Sequence, residues 1–380
     1  MADHFRHSAL FYSGLDDYVR QTTAFLREGI SAREPALVVI APEKAALLHE
    51  ELGADAASVV FADMSEIGHN PARIIPAWRE FVDANLGPGR PVRGIGEPIW
   101  AERTSEELVE CERHESLLNL AFADSHEWHL LCPYDTESLP DAVLDEARRN
   151  HPLLVEHGMH RPSDVCRDLE EIARPFDAPL PPAPAGAQSF ELGVGMLAAL
   201  RRFVSDGAEQ EGLADKTSSF ALAVHELATN SLRHGGGGAR VLLWSTVRSV
   251  VCEVRDTGRI GDPMIGRVRP GNEREGGWGA WMANQLCDLV QVRAVAGGTV
   301  VRVHMAKPPP VVVCRTPWGE VHLDERQYER VADSLWRLGV SVPGATTAAT
   351  KLAQARRAGQ NKVDLDERES PALERALLAS

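Results

Sequence analysis

No apolar run in this chain is long enough to span a bilayer. The start Met1-Ala2-Asp3-His4-Phe5-Arg6 has no apolar stretch behind a basic leader, so it does not read as a signal peptide. A cytoplasmic protein without a membrane partner is therefore expected. Cysteine is sparse. The six residues Cys111, Cys132, Cys166, Cys252, Cys287 and Cys314 include no Cys-x-x-Cys, and they read as reduced thiols. Positive charge is short as well: the net charge of −15 argues against nucleic acid as a direct partner. There is no Gly-x4-Gly-Lys-Ser/Thr, which excludes an ordinary P-loop, and no internal repeat. What remains is an ordinary globular composition over 380 residues, enough for two domains and an appendage.

From residue 7 to about 152, short apolar runs alternate with amphipathic stretches. The runs are Ala9–Tyr12, Ala36–Ile40, Ser58–Phe61, Val92–Gly96 and His129–Cys132. Helices are predicted over 15–31, 42–52, 71–85, 104–123 and 140–150. This alternation predicts an α/β domain, a parallel sheet with helices on its faces, over residues 1–160. Five prolines within 174–187 mark a semi-rigid linker. Residues 188–307 then read as strand, two helices, two strands, a glycine-rich loop, a helix and two strands. From Pro308-Pro309-Pro310 the composition changes again. Residues 308–380 read as a helical C-terminal extension, with a helix over 324–338 and an acidic, solvated Asp364–Glu369.

The densest chemistry lies in Glu226-Leu-Ala-Thr-Asn-Ser-Leu-Arg-His234. Glu226 and Asn230 lie four apart, one helical turn, and four glycines follow at Gly235–Gly238. An amide oxygen is a hard ligand for magnesium, and a carboxylate can orient or deprotonate a nucleophile. Three further signals follow in order. Asp256-Thr-Gly258 ends a strand, where a buried Asp can accept the amine of adenine. Glu275-Gly276-Gly277-Trp278-Gly279 opens a helix, whose free amides suit phosphate. Gly298-Thr299 begins the closing strand, where a hydroxyl can reach the same pocket. Each signal alone has a commoner explanation, such as a hairpin turn or a solvated helix face. Their order and spacing together make coincidence improbable.

The series resembles the gyrase, histidine-kinase and MutL ATPase superfamily, and within it the anti-sigma factor serine kinases. The resemblance implies a Bergerat-type two-layer α/β sandwich, a mixed sheet with helices on one face. It implies ATP and Mg as cofactors, with Glu226 as catalytic base and Asn230 as magnesium ligand. Asp256 and Gly258 would read adenine, Gly277 and Gly279 would form the phosphate lid, and Thr299 would close the pocket. The implied partners are a sigma factor and an anti-sigma-factor antagonist that accepts phosphate on serine; a homodimer is also admitted. Two positions depart from the pattern: Ile260 stands for a glycine and Ala280 for a leucine. They motivate the alternative of a non-catalytic nucleotide-binding switch that acts by protein binding only.

In the first domain the informative polar residues sit at predicted strand ends: His7, Arg93, Glu97 and the run Cys132-Pro-Tyr-Asp135. Glu110, His114 and Glu115 share a helix with Leu117, Leu118 and Leu120. The phrases His7–Tyr12, Arg93–Trp100, Glu110–Asn119 and Leu131–Asp135 resemble the MEDS sensory domain. That resemblance implies a small-molecule ligand and a transition metal held by His and Cys. His7, Glu97 and Cys132 are the candidate sensor residues, with His114 or His151 as further ligands; thiolate with imidazole suits zinc or copper. A buried thiol among capping histidines is the commoner arrangement. His126, His129, His157 and His160 read as surface residues.

Overall fold

A computed structural model describes residues 5–85, 87, 90–125, 127–156, 158–173, 178–270, 277–307, 312–339, 341–357 and 362–379. Glu275, Gly276, Pro308–Pro310, His126, His157 and the first four linker residues lie outside these. The chain divides into two compact units, Met1–Ala306 and Lys307–Ser380. Among the described residues no helix is long and apolar enough to cross a membrane.

The first unit opens with β1 (Phe5–Tyr12), α1 (Gly14–Ala32), β2 (Ala36–Ile40), α2 (Pro42–Leu52), β3 (Val59–Asp63), α3 (Met64–Ile67) and α4 (Ile74–Asn85). It continues through β4 (Val92–Gly96), α5 (Ser105–Ala121), β5 (Trp128–Asp135), α6 (Asp141–Asn150), β6 (Leu153–Glu156), β7 (Met159–Pro162) and α7 (Leu169–Ala173). The strands form one sheet in the order β3-β2-β4-β5-β1-β6-β7, parallel except for β7 at the edge. Helices cover both faces, which is why the inner strands are nearly continuous apolar runs. Alternate residues serve separate cores. Ala9, Phe11, Leu37, Val39 and Cys132 face α4, α5 and α6, while Leu10, Tyr12, Val38 and Ile40 face α1 and α2. Helix α5 starts on a capping box between Thr104 and Glu107. Helix α4 begins later than expected because Pro71–Arg73 forms a separate 3-10 turn capped by Asn70.

The same unit continues as β8 (Gln188–Leu192), α8 (Leu197–Gln210), α9 (Thr217–His234), β9 (Ala239–Ser245), β10 (Ser249–Asp256), α10 (Trp278–Leu286), β11 (Leu289–Val295) and β12 (Gly298–Ala306). The second sheet runs β11-β12-β10-β9-β8. It is antiparallel throughout rather than mixed, because β9 and β10, like β11 and β12, are adjacent in sequence and pair directly. Phe220, Val224, Leu227 and Ala228 of α9 pack on Val241, Cys252, Val254 and Val303. The opposite face of the sheet is polar yet buried. Glu253 accepts from Arg302 at 2.6 and 3.0 Å, and Arg302 also donates to the Pro181 carbonyl. Arg293 donates to the Ala178 carbonyl, so the later part of the proline-rich linker is strapped across this face.

The second unit is not simply helical. It contains β13 (Val312–Thr316), β14 (Gly319–Leu323), α11 (Glu325–Leu338), α12 (Ala345–Arg357), β15 (Lys362–Asp364) and α13 (Ser370–Ala379). A sheet in the order β14-β13-β15 forms part of its core. The acidic segment is not a solvated tail either. Val363 and Leu365 alternate into the core, and Glu369 is buried, accepting from Lys351 at 2.6 Å and the Asp366 amide at 3.0 Å.

Candidate functional site

A cavity of about 290 Å³ lies between α9, the second sheet and the loop that leaves β10. Its wall includes Asn230, Ser231, His234, Asp256, Gly258, Gly277 and Thr299. One set of local rules brings them together. The apolar side of α9 faces the sheet, which turns Asn230 and His234 of its last turn toward the cavity. The end of β10 delivers Asp256, and register pairs it directly with Thr299 at the start of β12.

Asp256 is held at both oxygens. Oδ2 accepts from Ser231 Oγ at 2.5 Å, and Oδ1 accepts from the Gly258 amide at 2.8 Å. Thr299 Oγ1 donates to the Gly258 carbonyl at 2.8 Å, tying the last strand to the turn after β10. Gly277 begins α10 with φ of 88°, left-handed backbone that favours glycine. A Cβ on Gly279 would lie 2.5 Å from Asn230 Nδ2, so helix and amide meet only because that side chain is absent. Ile260 and Ala280, the two departures from the family pattern, are both in the cavity wall. Glu226 is half-buried on α9 and does not line the cavity among the described residues. Ser231 and Asn284 are wall residues that the sequence reading did not single out. Ser231 was legible one position beyond Asn230. Asn284 lies seven residues past Gly277, with nothing local to mark it.

A second polar cluster lies in the first sheet. His7 of β1, Glu115 of α5, Cys132 of β5 and His151 after α6 are all buried, and one ligand atom from each falls within 4.8 Å of the others. His7 Nε2 is 3.1 Å from Glu115 Oε2 and 3.4 Å from Cys132 Sγ. His151 Nε2 approaches Glu115 Oε2 to 3.2 Å without hydrogen-bond alignment. The other ring nitrogens face away from the cluster: His7 Nδ1 pairs with Asn119 Oδ1 at 3.1 Å and His151 Nδ1 with the Ala147 carbonyl at 2.8 Å. Both Nε2 atoms are thereby aimed at one point, and buried Glu115 Oε1 has no hydrogen-bond partner. Burial, with His151 close by, pushes His7 down to about 4. Burial opposes ionisation of Glu115, but the two imidazoles outweigh it and hold that carboxyl well below the usual range. Burial and the Glu115 charge push the Cys132 thiol up.

The structure brings His7 and Cys132 together and adds Glu115 and His151. It separates Glu97 from them. Glu97 follows β4 on the opposite face of the sheet, where Oε1 accepts from Tyr12 Oη at 2.9 Å and from Lys44 Nζ at 2.6 Å. Burial pushes the Glu97 carboxyl up, against the pull of Lys44. His114 is buried on α5 with Nδ1 unpartnered, but it stands outside the four-residue group. His129 is partly buried and His160 exposed.

Residues 6–152 match the family model of MEDS, the MEthanogen/methylotroph, DcmR Sensory domain. Residues 190–305 match the model of the histidine kinase-like ATPase domain. No curated protein matches the chain.

Proposed function

We propose that the chain, in which a MEDS sensory domain is joined to a histidine kinase-like ATPase domain, is a regulatory ATP-binding protein and a sensor-controlled anti-sigma regulator. In this reading the ATPase domain phosphorylates a serine on an anti-sigma-factor antagonist, sequesters a sigma factor, or does both. The observation that carries the nucleotide part is the shared wall of Asn230, Asp256, Gly277 and Thr299. Asp256, fixed by Ser231 and Gly258, accepts the exocyclic amine of adenine. Asn230 supplies an oxygen to magnesium. The first amides of α10 hold phosphate at a helix N-terminus. Glu226 takes the proton of the incoming serine, and positioning with charge neutralisation does the rest. Thermal-shift titration with Mg-ATP should raise the melting temperature, and no rise in the native protein would sink the nucleotide reading.

One observation favours a second reading, a nucleotide-binding switch without phosphotransfer. Glu226 is off the cavity wall while Ile260 and Ala280 are in it. Phosphorylation of a cognate antagonist that persists at near full rate in Glu226→Ala would remove Glu226 from catalysis. No transfer by the native protein would leave the switch.

For the sensory domain, the donor set His7, Glu115, Cys132 and His151 fits zinc or copper: two imidazoles, a thiol and a carboxylate, with both Nδ1 atoms anchored. A bound ion would supply a Lewis-acidic coordination centre for a small organic ligand. Glu115 and the two imidazoles orient it, and the surrounding core excludes water. Elemental analysis of protein purified without a His tag should find about one ion per chain.

A further inference from the structure

The loop from Gly258 to Pro270, part of which lines the cavity and which is called the lid below, is held from the sensory domain at two places and, through Asn284, at a third. Met264 packs against the core that contains Cys111 and Leu118. Arg267 Nη2 donates to Glu110 Oε2 at 3.3 Å, while Arg293 of β11 donates to Glu110 Oε1 at 2.7 Å; all three side chains are buried. Asn70 Nδ2 lies 3.1 Å from the Asn284 carbonyl and 3.2 Å from both Asn284 Oδ1 and the Cys287 carbonyl. Asn284 in turn lines the nucleotide cavity and donates to the Gly266 carbonyl at 2.9 Å. Arg73 also donates to the Asn284 and Gln285 carbonyls, capping the last turn of α10. The lid is thus tied to α5, and the end of α10 that supports it to the turn before α4.

Helix α5 has a second engagement. Glu115 lies five residues after Glu110, which turns the helix by about 140°. The two carboxyls therefore leave α5 on different sides, one toward His7 and Cys132, the other toward Arg267 and Arg293. One helix carries both a member of the buried polar cluster and the partner of a lid arginine. Arg267 Nη1 is buried without a hydrogen-bond partner, so the lid arm of this contact is only partly satisfied and is the weaker of the two arginine contacts.

We infer that Glu110, Arg267 and Asn70 are positioning residues of the nucleotide site, through which occupancy of the His7–Glu115–Cys132–His151 pocket sets nucleotide affinity. This rests on the readings of the two sites given above. A movement of α5 that follows ligation of Glu115 moves Glu110, and Glu110 carries Arg267 and the lid. By linkage, nucleotide must alter ion affinity by the same factor.

The test uses the full chain, stripped with a chelator, with one equivalent of zinc restored or withheld. Mg-ATP is titrated in both states for the native protein and for Arg267→Gln, and lid amides over 259–270 are followed by hydrogen exchange. Glu110 stays paired with Arg293 in this variant, and Arg267→Lys serves as the conservative control. Zinc should change the native ATP Kd by about fivefold or more, the lower range of allosteric coupling. Arg267→Gln should bring that ratio below about twofold while both ligands still bind, and Arg267→Lys should recover part of it. A ratio near one in native protein that binds both ligands, or an undiminished ratio in Arg267→Gln, overturns the inference. Without ligands, lid exchange should be about tenfold faster in Arg267→Gln, and equal exchange overturns the anchorage. If stripped native protein takes up no zinc or no ATP, the reading of that site falls, and the exchange comparison still decides whether the sensory domain holds the lid.

Discussion

His7, Glu115, Cys132 and His151 meet wholly inside the sensory domain, whereas Asn230, Asp256 and Thr299 line a cavity of about 290 Å³. Both groups are polar residues clamped between a sheet and a helix. They differ in what completes them. Asp256 is hydrogen-bonded on both oxygens before any ligand arrives. Glu115 Oε1 and His151 Nε2 are buried without hydrogen bonds. A satisfied, open site loses affinity when one residue is removed. An unsatisfied, closed site loses stability, because what is left behind stays away from water.

The largest effect expected from this contrast is on Glu115. Glu115→Ala strips the hydrogen-bond partner from buried His7 and the close carboxylate from buried His151, and should cost about 3 kcal/mol of unfolding free energy in metal-free protein. Chemical denaturation measures it. A loss below about 1 kcal/mol would mean that the pocket is not sealed as described.

Acid tests the contrast on the polar outer face of the second sheet, away from both sites. Burial, with Arg302 adding its charge, lowers His304 to about 4 from 6.5. The unfolded chain therefore binds the extra proton first. Stability from this group is complete above pH 6.5 and declines as pH falls toward 4, by up to about 3 kcal/mol. His304→Gln, which can still reach Gln291, should flatten that window. An unchanged acid limb would assign the sensitivity elsewhere.

At the open site, Asp256→Asn keeps shape and loses charge. It should weaken ATP binding by about 30-fold, roughly 2 kcal/mol, with little change in stability. Calorimetry against a melting curve separates the two, and a large stability loss with intact binding would reverse the comparison.

Legibility in the sequence follows the same division. The strands Ala36–Ile40 and Val92–Gly96 were readable to the residue, since buried parallel strands are continuous apolar runs. Strand β1 starts earlier than its apolar run because Phe5 and His7 alternate with the polar Arg6 and Ser8. The cavity wall was legible because its parts are local: Asn230 near the end of a helix, an Asp-x-Gly at a strand end and a glycine before a helix, whereas Glu226, one turn from Asn230, is off it. The sensory group was only half legible. Glu97 was grouped with His7 and Cys132 by its place at a strand end, but side-chain alternation sends it to the other face. Glu115 was singled out on its helix but not grouped with His7 and Cys132, because polar and apolar residues are spread around α5 and no stripe marks its buried side. The small sheet of the second unit escaped because its three strands are short, with only Pro317 and Trp318 between the first two.

The smallest effect is the most specific to geometry. Gly279 is not at positive φ, so alanine there meets no backbone penalty and, in a helix, gains about 0.5–1 kcal/mol of propensity. Its Cβ would nonetheless come within 2.5 Å of Asn230 Nδ2 and 3.3 Å of the Glu226 carbonyl. The amide must rotate or α10 must back away from α9. Either movement shifts the oxygen assigned to magnesium, while the adenine contact through Asp256 is untouched. Gly279→Ala should therefore leave the melting temperature within a few degrees of native, lower affinity for Mg-ATP by about tenfold, roughly 1.4 kcal/mol, and leave adenosine affinity within about twofold. Equal losses for both ligands would mean that helix displacement, and not the position of Asn230, is what glycine at this place prevents.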